Sequence, residues 1–221
     1  VHRIFPSLFR TSYLQAGKPI DAPDSIASGN SGPVRIRDLE VQAGDVKILQ
    51  SLTFEAPANK ISCIIGPNGA GKTTLLNAMT GVMTVNQGSV EVSARPIEHL
   101  KIHEALSAGI GRKLQVPAIF NDLTVEENLQ VASIAGRASF SDFFRKSTLA
   151  WKTETRSMLV DNHETGLLRS LNYRAGVLSQ GHKQFLEMAL ALGPSPCILL
   201  LDEPTAGMSR DDTRLMIEII K

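Results

Sequence analysis

The chain has 221 residues, of which 43% are hydrophobic and 20% charged, a composition that suits a globular protein with a sizeable core. Its formal net charge of +1 gives no electrostatic reason to expect binding to nucleic acid or to an anionic membrane. The apolar runs are too short for a membrane-spanning helix. Cys63 and Cys197 fall in apolar runs, which predicts free thiols in buried strands.

Residues 1–33 differ in composition from the rest of the chain. They are rich in Pro, Ser and Gly and contain two acidic residues, Asp21 and Asp24. This composition predicts a flexible leader or linker. The first residue is Val1 and not Met, which is compatible with a fragment of a longer protein.

From residue 34 onward, predicted strands and helices alternate. The apolar residues between 34 and 41 predict edge strands, and 89–92 predicts another. Residues 61–65 predict a short buried strand, followed by a helix over 74–79 that Gly81 ends. Residues 96–106 predict a helix and 110–114 a strand.

The second half of the chain continues this alternation. Thr124 and Glu127 have the spacing of a capping box, which predicts a helix running through Ile134. A polar and weakly helical region then extends to about residue 173. Apolar residues at helical spacing predict a helix over 185–192, and 197–201 predicts a central strand of a parallel sheet. The pattern indicates an α/β fold.

A glycine-rich segment between a predicted strand and a predicted helix forms the first functional motif. Its glycines allow several backbone N–H groups to point at one anion, and the helix adds its positive dipole end. Lys72 is placed to reach the β- and γ-phosphates of a nucleoside triphosphate, and the Thr73 hydroxyl to ligate Mg²⁺. The predicted phosphate-binding residues are Gly66, Pro67, Asn68, Gly69, Ala70, Gly71, Lys72, Thr73 and Thr74.

Two adjacent acids, Asp202 and Glu203, follow the last predicted strand. Carboxylates at this end of a parallel strand lie where open α/β sheets bind ligands. Asp202 is suited to hold Mg²⁺, and Glu203 to polarise the water that attacks the γ-phosphate. Such a pair can also mark a strand end that turns into solvent, so the motif gains weight from the phosphate loop upstream.

The segment 178–184 lies at the start of the last long predicted helix before these acids. Ser179 and Gly181 can offer a hydroxyl and backbone N–H groups to a phosphate. An ordinary serine N-cap is the alternative interpretation. The phosphate loop in the same chain favours the functional one.

These motifs resemble those of the nucleotide-binding subunit of ABC transporters over about residues 34–221. Residues 66–74 resemble the Walker A loop, 198–203 the Walker B strand and 178–182 the signature motif. Gln115 falls where the family has its Q-loop glutamine. The resemblance implies a P-loop NTPase (RecA-like) core with an antiparallel β edge and a helical subdomain inserted at about 116–177.

The resemblance also implies the chemistry and the partners. It implies an ATP hydrolase with ATP and Mg²⁺ as its cofactors, Mg²⁺ ligands at Thr73, Gln115 and Asp202, and catalytic roles for Glu203 and Gln115. It further implies a homodimer, or a heterodimer with a related subunit, in which Ser179 and Gly181 complete the ATP site of the opposite subunit. Transmembrane permease subunits would hold the protein at the cytoplasmic face of the plasma membrane, without nucleic acid as a partner.

Three segments, 109–115, 120–129 and 202–208, are similar to those of importers of branched-chain amino acids and urea. Residues 111–113 and 206–208 favour the urea type. The apolar residues Pro117, Ala118, Ile119, Phe120 and Leu123 predict a surface on which a short permease helix docks, with packing within the subdomain as the alternative.

The chain departs from the family pattern at several positions. Ala43 stands where an aromatic residue usually stacks on adenine. Gln180 and His182 replace a glycine and a glutamine of the signature, and Ser209 replaces an aspartate common in the family; we assign His182 no catalytic part.

The family's switch histidine and its last strands would follow Lys221, which predicts a cassette truncated before that histidine. Two alternatives to a transport ATPase therefore stay open. One is a nucleotide-binding module without turnover, and the other is a soluble ABC ATPase that acts in translation or DNA repair.

Overall fold

The computed structural model describes residues 15–16, 20–21, 32–113, 119–134, 157, 159–160 and 162–221. The chain divides into an N-terminal unit, Val1–Ala105, and a C-terminal unit, Leu106–Lys221. No helix within the described ranges has the length and apolar character needed to cross a membrane.

The N-terminal unit is built around an antiparallel sheet. Its described elements in chain order are β1 (Gln15–Ala16), β2 (Ile20–Asp21), β3 (Val34–Ala43), β4 (Val46–Ala56), β5 (Lys60–Ile61), β6 (Ile64–Ile65), α1 (Lys72–Met79), β7 (Gln87–Val92), β8 (Arg95–Pro96) and the first residues of α2 (Ile102–Ser107), which ends in the C-terminal unit. Four strands pair in the order β4-β3-β7-β8. β3 is therefore one inner strand, and the prediction of separate edge strands over this stretch is wrong.

A bulge in β3 explains the irregular spacing of its apolar residues. The register with β4 shifts between Ile36 and Leu39, and Asp38 adopts a φ of 46°. One extra residue moves the alternation of side chains by one position, which keeps the apolar residues on the core side. A Cβ on Gly88 of β7 would lie 2.4 Å from the carbonyl oxygen of Asp38, so this close approach requires glycine. The buried residues of β3 are Val34, Ile36, Leu39 and Val41.

The predicted buried strand over 61–65 is wrong in its burial and continuity. Ser62 and Cys63 separate β5 from β6, Cys63 is exposed, and Ile65 is 62% exposed. Within the described residues, β5 pairs antiparallel with β2 and β6 with β1. An apolar run predicts full burial only when both faces of its sheet are covered, and two-residue strands provide little such cover.

The helix after the phosphate loop is confirmed as α1 and begins slightly earlier than predicted, at Lys72. It buries Leu75, Leu76, Ala78 and Met79. Gly81 follows it with a φ of +70°, as expected for a residue that ends a helix.

The predicted helix over 96–106 is wrong in its first half. Ser93 and Ala94 have φ values of 53° and 62°, which form a tight turn that sends the chain back along β7 as β8. The helix itself is α2, and the Glu104 carboxylate accepts a hydrogen bond of 2.7 Å from the Lys101 backbone N–H at its start.

The C-terminal unit combines a parallel strand pair with helices. Among its described residues the elements are β9 (Ile110–Lys113), α3 (Val125–Ile134), the 3-10 turns Leu168–Ser170 and Ala175–Val177, α4 (Gln180–Leu192), β10 (Ile198–Leu201) and α5 (Arg210–Ile220).

β9 and β10 pair in parallel, with Ile110 opposite Ile198 and Lys113 opposite Leu201. The predicted parallel pairing is confirmed, but among the described residues this sheet has two strands, so the predicted central position is not reproduced. Cys197 lies just before β10 and is half-buried, which corrects its predicted place within a buried strand.

The helices of the C-terminal unit share one apolar core. The predicted capping box is confirmed at the start of α3: the Thr124 N–H donates to Glu127 Oε2 at 2.7 Å, and the Glu127 N–H donates to Thr124 Oγ1 at 3.1 Å. The predicted helix over 185–192 is confirmed within α4, which ends at Gly193. The core residues from α3, α4 and α5 include Val125, Leu129, Phe185, Leu186, Met188, Ala189, Leu215, Met216 and Ile219.

Candidate functional site

The predicted phosphate loop connects β6 to α1 in the N-terminal unit. Gly69 and Gly71 have φ values of +81° and +89°, in the left-handed region that favours glycine. A Cβ on Gly71 would lie 2.6 Å from Cδ2 of Leu49, so this position also lacks room for a side chain. The first helical hydrogen bond, from the Leu75 N–H to the Gly71 carbonyl, is 2.9 Å long. The helix α1 thus begins directly after the loop.

Lys72 folds over the loop that precedes it. Its ammonium donates hydrogen bonds to the carbonyl oxygens of Gly66 at 2.7 Å and Pro67 at 2.9 Å. An ammonium has three donors, so this cation can bind an incoming phosphate oxygen and then exchange its carbonyl partners. Thr73 is exposed in the first turn of α1, which contains no acidic residue to neutralise the helix dipole. The arrangement suits an anionic ligand.

Asp202 follows β10 directly and is 7% exposed. Its Oδ2 atom is buried and accepts no hydrogen bond from any residue that the structure describes. A buried carboxylate oxygen without a donor is costly, and a cation such as Mg²⁺ would compensate it. No group of three or more His, Cys, Asp or Glu side chains in the described part of the chain could hold a metal by itself.

The Asp202 carboxylate acts electrostatically on Arg112, a half-buried basic residue of β9. Burial lowers the pKa of Arg112, and the Asp202 carboxylate opposes this by favouring the charged guanidinium. The two residues thus form an electrostatic pair at the carboxyl end of the parallel strands.

Glu203 lies in a strained backbone conformation. Its φ is 48°, which is uncommon for a residue other than glycine and costs about 1–3 kcal/mol. The Ala206 N–H donates to its carbonyl oxygen at 3.1 Å, so Glu203 begins a tight turn. Whereas Asp202 is buried, Glu203 is exposed, and an exposed carboxylate can accept a proton from water.

The predicted signature segment forms the N-terminus of α4. Ser179 is the N-cap, and its hydroxyl accepts a hydrogen bond of 3.3 Å from the His182 N–H. Gly181 is buried, and a Cβ there would lie 2.6 Å from Oδ2 of Asp212. The Asp212 side chain of α5 therefore covers the glycine, a contact that the sequence motif does not indicate. A Cβ on Gly207 would lie 3.5 Å from Cγ of Gln180, so the turn after Asp202 and Glu203 approaches the start of α4.

Gln115 lies outside the described residues, as do Pro117 and Ala118 of the predicted docking surface. Phe120 is 54% exposed, whereas Ile119 packs against the core of the C-terminal unit. The Asn128 side chain fixes this segment: its Oδ1 accepts from the Phe120 N–H at 2.9 Å, and its Nδ2 donates to the Phe120 carbonyl at 3.0 Å.

The phosphate loop therefore lies in one unit, and Asp202, Glu203 and the start of α4 lie in the other. Sequence reasoning missed a second buried charge pair, Lys113 with Glu187, in the C-terminal unit. The sequence does show Lys113 at the end of an apolar strand, which indicates a buried lysine that needs an acidic partner. It does not show which acid that is, because Glu187 lies far along the chain.

Three comparisons with known proteins bear on this site. A family model described as "ABC transporter" matches residues 49–206. The probable branched-chain amino acid transport ATP-binding protein LivF of Archaeoglobus fulgidus is 31% identical over 208 residues, which span 84% of this chain and 80% of that protein. The high-affinity branched-chain amino acid transport ATP-binding protein LivG of Salmonella typhimurium is 32% identical over 192 residues, with coverage of 84% and 74%.

Solved structures give the same picture of the fold. One ATP-binding cassette of an ABC transporter superposes with a TM-score of 0.66 at 26% identity, covering 86% of this chain and 76% of that one. The ADP conformation of such a cassette superposes with a TM-score of 0.64 at 27% identity, covering 85% and 74%.

Proposed function

The chain belongs to the ABC transporter family, and from that premise we propose that it binds and hydrolyses ATP to drive import of a small solute through a membrane permease. The family and the P-loop NTPase fold predicted from the motifs are confirmed. The observation that carries the proposal is the phosphate loop, whose left-handed glycines lead into α1 and whose Lys72 ammonium is held within the loop.

Lys72 supplies the first test. ATP binding replaces its two carbonyl contacts by phosphate oxygens, so Lys72→Ala is expected to lower ATP affinity by about 10-fold or more, since charge-assisted hydrogen bonds contribute about 1.5–3 kcal/mol. The control is Lys47→Ala, because the exposed Lys47 pairs with Glu40 elsewhere in the same unit. Nucleotide titration and phosphate release are measured for both variants. Equal affinities for both would refute the loop as the ATP site, and binding without phosphate release would favour a module without turnover.

We propose that Thr73, Gln115 and Asp202 hold Mg²⁺ with the ATP phosphates. When bound, Mg²⁺ neutralises charge that develops on the phosphates. The unpaired Oδ2 of Asp202 supports this role, and the exposed carboxylate of Glu203 is suited to orient and deprotonate the attacking water. The glutamine is assigned from its sequence position.

Two cassettes are proposed to bind head to tail, with Ser179 and Gly181 of each subunit facing the ATP of the other. The N-terminus of α4 supports this, because its dipole and the Ser179 hydroxyl favour an anion. Glu203→Gln should block hydrolysis and so trap an ATP-dependent dimer, measured by light scattering. A variant that stays monomeric at saturating ATP would exclude this arrangement for a homodimer.

We propose that the surface around Phe120 receives a short helix of the permease, which would place the subunit at the inner face of the membrane. Phe120 is an exposed aromatic residue on a segment fixed by Asn128. Phe120→Asp should abolish stimulation of ATPase activity by the reconstituted permease while ATP binding is unchanged. Ile217→Asp, at an exposed apolar position of α5, is the control. Full stimulation of the Phe120 variant would show that the docking surface lies elsewhere.

The proposed solute is a branched-chain amino acid, because the relatives LivF and LivG are transport proteins for that class. Urea is the second candidate, favoured by the residues 111–113 and 206–208, and no comparison supports it further. Uptake of labelled leucine and of labelled urea is measured in cells with and without the chain. Only the label of the transported solute should be taken up more slowly by cells that lack the chain.

A further inference from the structure

A buried ion pair lies inside the C-terminal unit, between β9 and α4. Lys113 Nζ and Glu187 Oε2 are 3.3 Å apart, and their side chains are 1% and 4% exposed. Burying two charges carries a large desolvation cost, and an apolar pair of similar volume is often as stable or more stable. Stability alone therefore does not explain the pair.

The pair links two elements that carry proposed site residues. Lys113 ends β9 and lies opposite Leu201, the residue that precedes Asp202. Glu187 lies in the middle of α4, whose N-cap is Ser179. One contact thus joins the carboxyl end of the parallel strands to the helix that begins at the signature.

The side chains of the two basic residues that end β9 lie on opposite faces of the sheet. Side chains alternate along a strand, so Arg112 and Lys113 point to different faces. Arg112 acts electrostatically on Asp202, whereas Lys113 pairs with α4. Leu199 and Leu201 lie on the Lys113 face by the same alternation, and both pack against the core to which α4 contributes.

We propose that the ion pair between Lys113 and Glu187 positions the ATPase site by fixing the end of β9 and β10 along α4. This rests on the proposed function. The 3.3 Å contact between Nζ and Oε2 is an electrostatic attraction and not a directional hydrogen bond. Because separating two opposite charges in a buried site is costly, the contact favours one register of the sheet end along the helix. Asp202 thereby keeps a constant place relative to Ser179.

The test compares single and double replacements. Lys113→Met removes the cation that faces the buried Glu187 carboxylate and is expected to lower the Tm, and the double variant Lys113→Met with Glu187→Met is expected to recover it. The matched control is the double variant Arg35→Met with Glu55→Met, which removes an exposed ion pair of the N-terminal unit. Tm, kcat, the KM for ATP and amide hydrogen exchange are measured for each.

The double variant should recover its Tm but lose about 10- to 100-fold in kcat, as expected when a reacting group is misplaced by about 1 Å. Its KM for ATP should stay within about twofold of wild type, because the lost interaction acts on turnover. Amide exchange at Leu201 should accelerate, while the amides of α4 keep their protection. The control pair should change none of these quantities.

Wild-type kcat and wild-type exchange at Leu201 in the double variant would overturn the proposal, and so would a change confined to KM. If the double variant does not fold, Lys113→Arg replaces it, because this variant keeps the positive charge but changes the geometry of the contact. A wild-type kcat in Lys113→Arg would then overturn the proposal. A wild-type chain that hydrolyses no ATP refutes the proposed function instead, and exchange at Leu201 then decides by itself whether the pair fixes the sheet end.

Discussion

Two glycines of the phosphate loop offer a matched test of the structure. Gly69 and Gly71 have similar positive φ values, +81° and +89°, but different surroundings. A Cβ on Gly69 would meet no atom within 4 Å, whereas a Cβ on Gly71 would lie 2.6 Å from Cδ2 of Leu49. Gly69→Ala and Gly71→Ala should therefore cause similar backbone strain, and of the two only Gly71→Ala should add a steric clash, with Leu49.

The expected magnitudes follow from these two terms. Left-handed backbone costs a residue with a Cβ about 1–2 kcal/mol, so Gly69→Ala should lower the free energy of unfolding by about that amount. Leu49 is 2% exposed and must move within a packed core to admit the second methyl group, which adds about 1–3 kcal/mol. Gly71→Ala should therefore lower the free energy of unfolding by about 2–5 kcal/mol.

Urea unfolding followed by far-UV circular dichroism measures the difference. An additional 2 kcal/mol lowers the midpoint by about 1 M when the m-value is about 2 kcal/mol/M. Gly44→Ala is the control for strain alone, because Gly44 has a φ of +57° and a Cβ there would meet no atom within 4 Å. The reasoning fails if Gly71→Ala unfolds at the same urea concentration as Gly69→Ala, or at a higher one.

Three further predictions concern the site and its supporting helix. Asp202→Asn should raise the Mg²⁺ concentration for half-maximal ATPase activity by about 10-fold, and an unchanged Mg²⁺ titration would exclude this residue as a ligand. Ala43→Tyr should raise ATP affinity, since stacking on a base contributes about 1–3 kcal/mol, and an affinity equal to wild type would place the base elsewhere. Hydrogen bonds from the Thr124 backbone and hydroxyl lower the pKa of Glu127, so its stabilising effect is present above the unfolded pKa and disappears as the pH falls through the folded one. Glu127→Gln should remove that part of the pH dependence of the urea midpoint, and an identical pH profile would contradict the assignment.

The features that sequence predicted well have causes contained in a few adjacent residues. The capping box between Thr124 and Glu127 is formed by the two hydrogen bonds that its spacing allows. The order of strand, glycine-rich loop and helix around Lys72 is likewise local, since positive φ at Gly69 and Gly71 needs only glycine. Parallel pairing of β10 followed from a short apolar run.

The features that sequence did not predict depend on distant partners. Burial of the 61–65 run depends on which strands pair with it, and Ile65 is exposed although its neighbours are apolar. The pairing of Lys113 with Glu187 depends on α4 packing against β9. The bulge at Asp38 needs Gly88 of another strand to approach its backbone. None of these causes can be read from a local pattern.

The residues of the predicted signature segment differ in their local contacts. Ser179 accepts the N-cap hydrogen bond from the His182 N–H. A Cβ on Gly181 would lie 2.6 Å from Oδ2 of Asp212, so a side chain there would displace that carboxylate. Gln180 is exposed, and a glycine there is not needed for either contact. The ring of His182 lies against Gly166, where a Cβ would be 2.5 Å from Nε2, so this side chain packs within its own unit. Ser179 and Gly181 thus make local contacts within the C-terminal unit in addition to the phosphate contact that we propose for them.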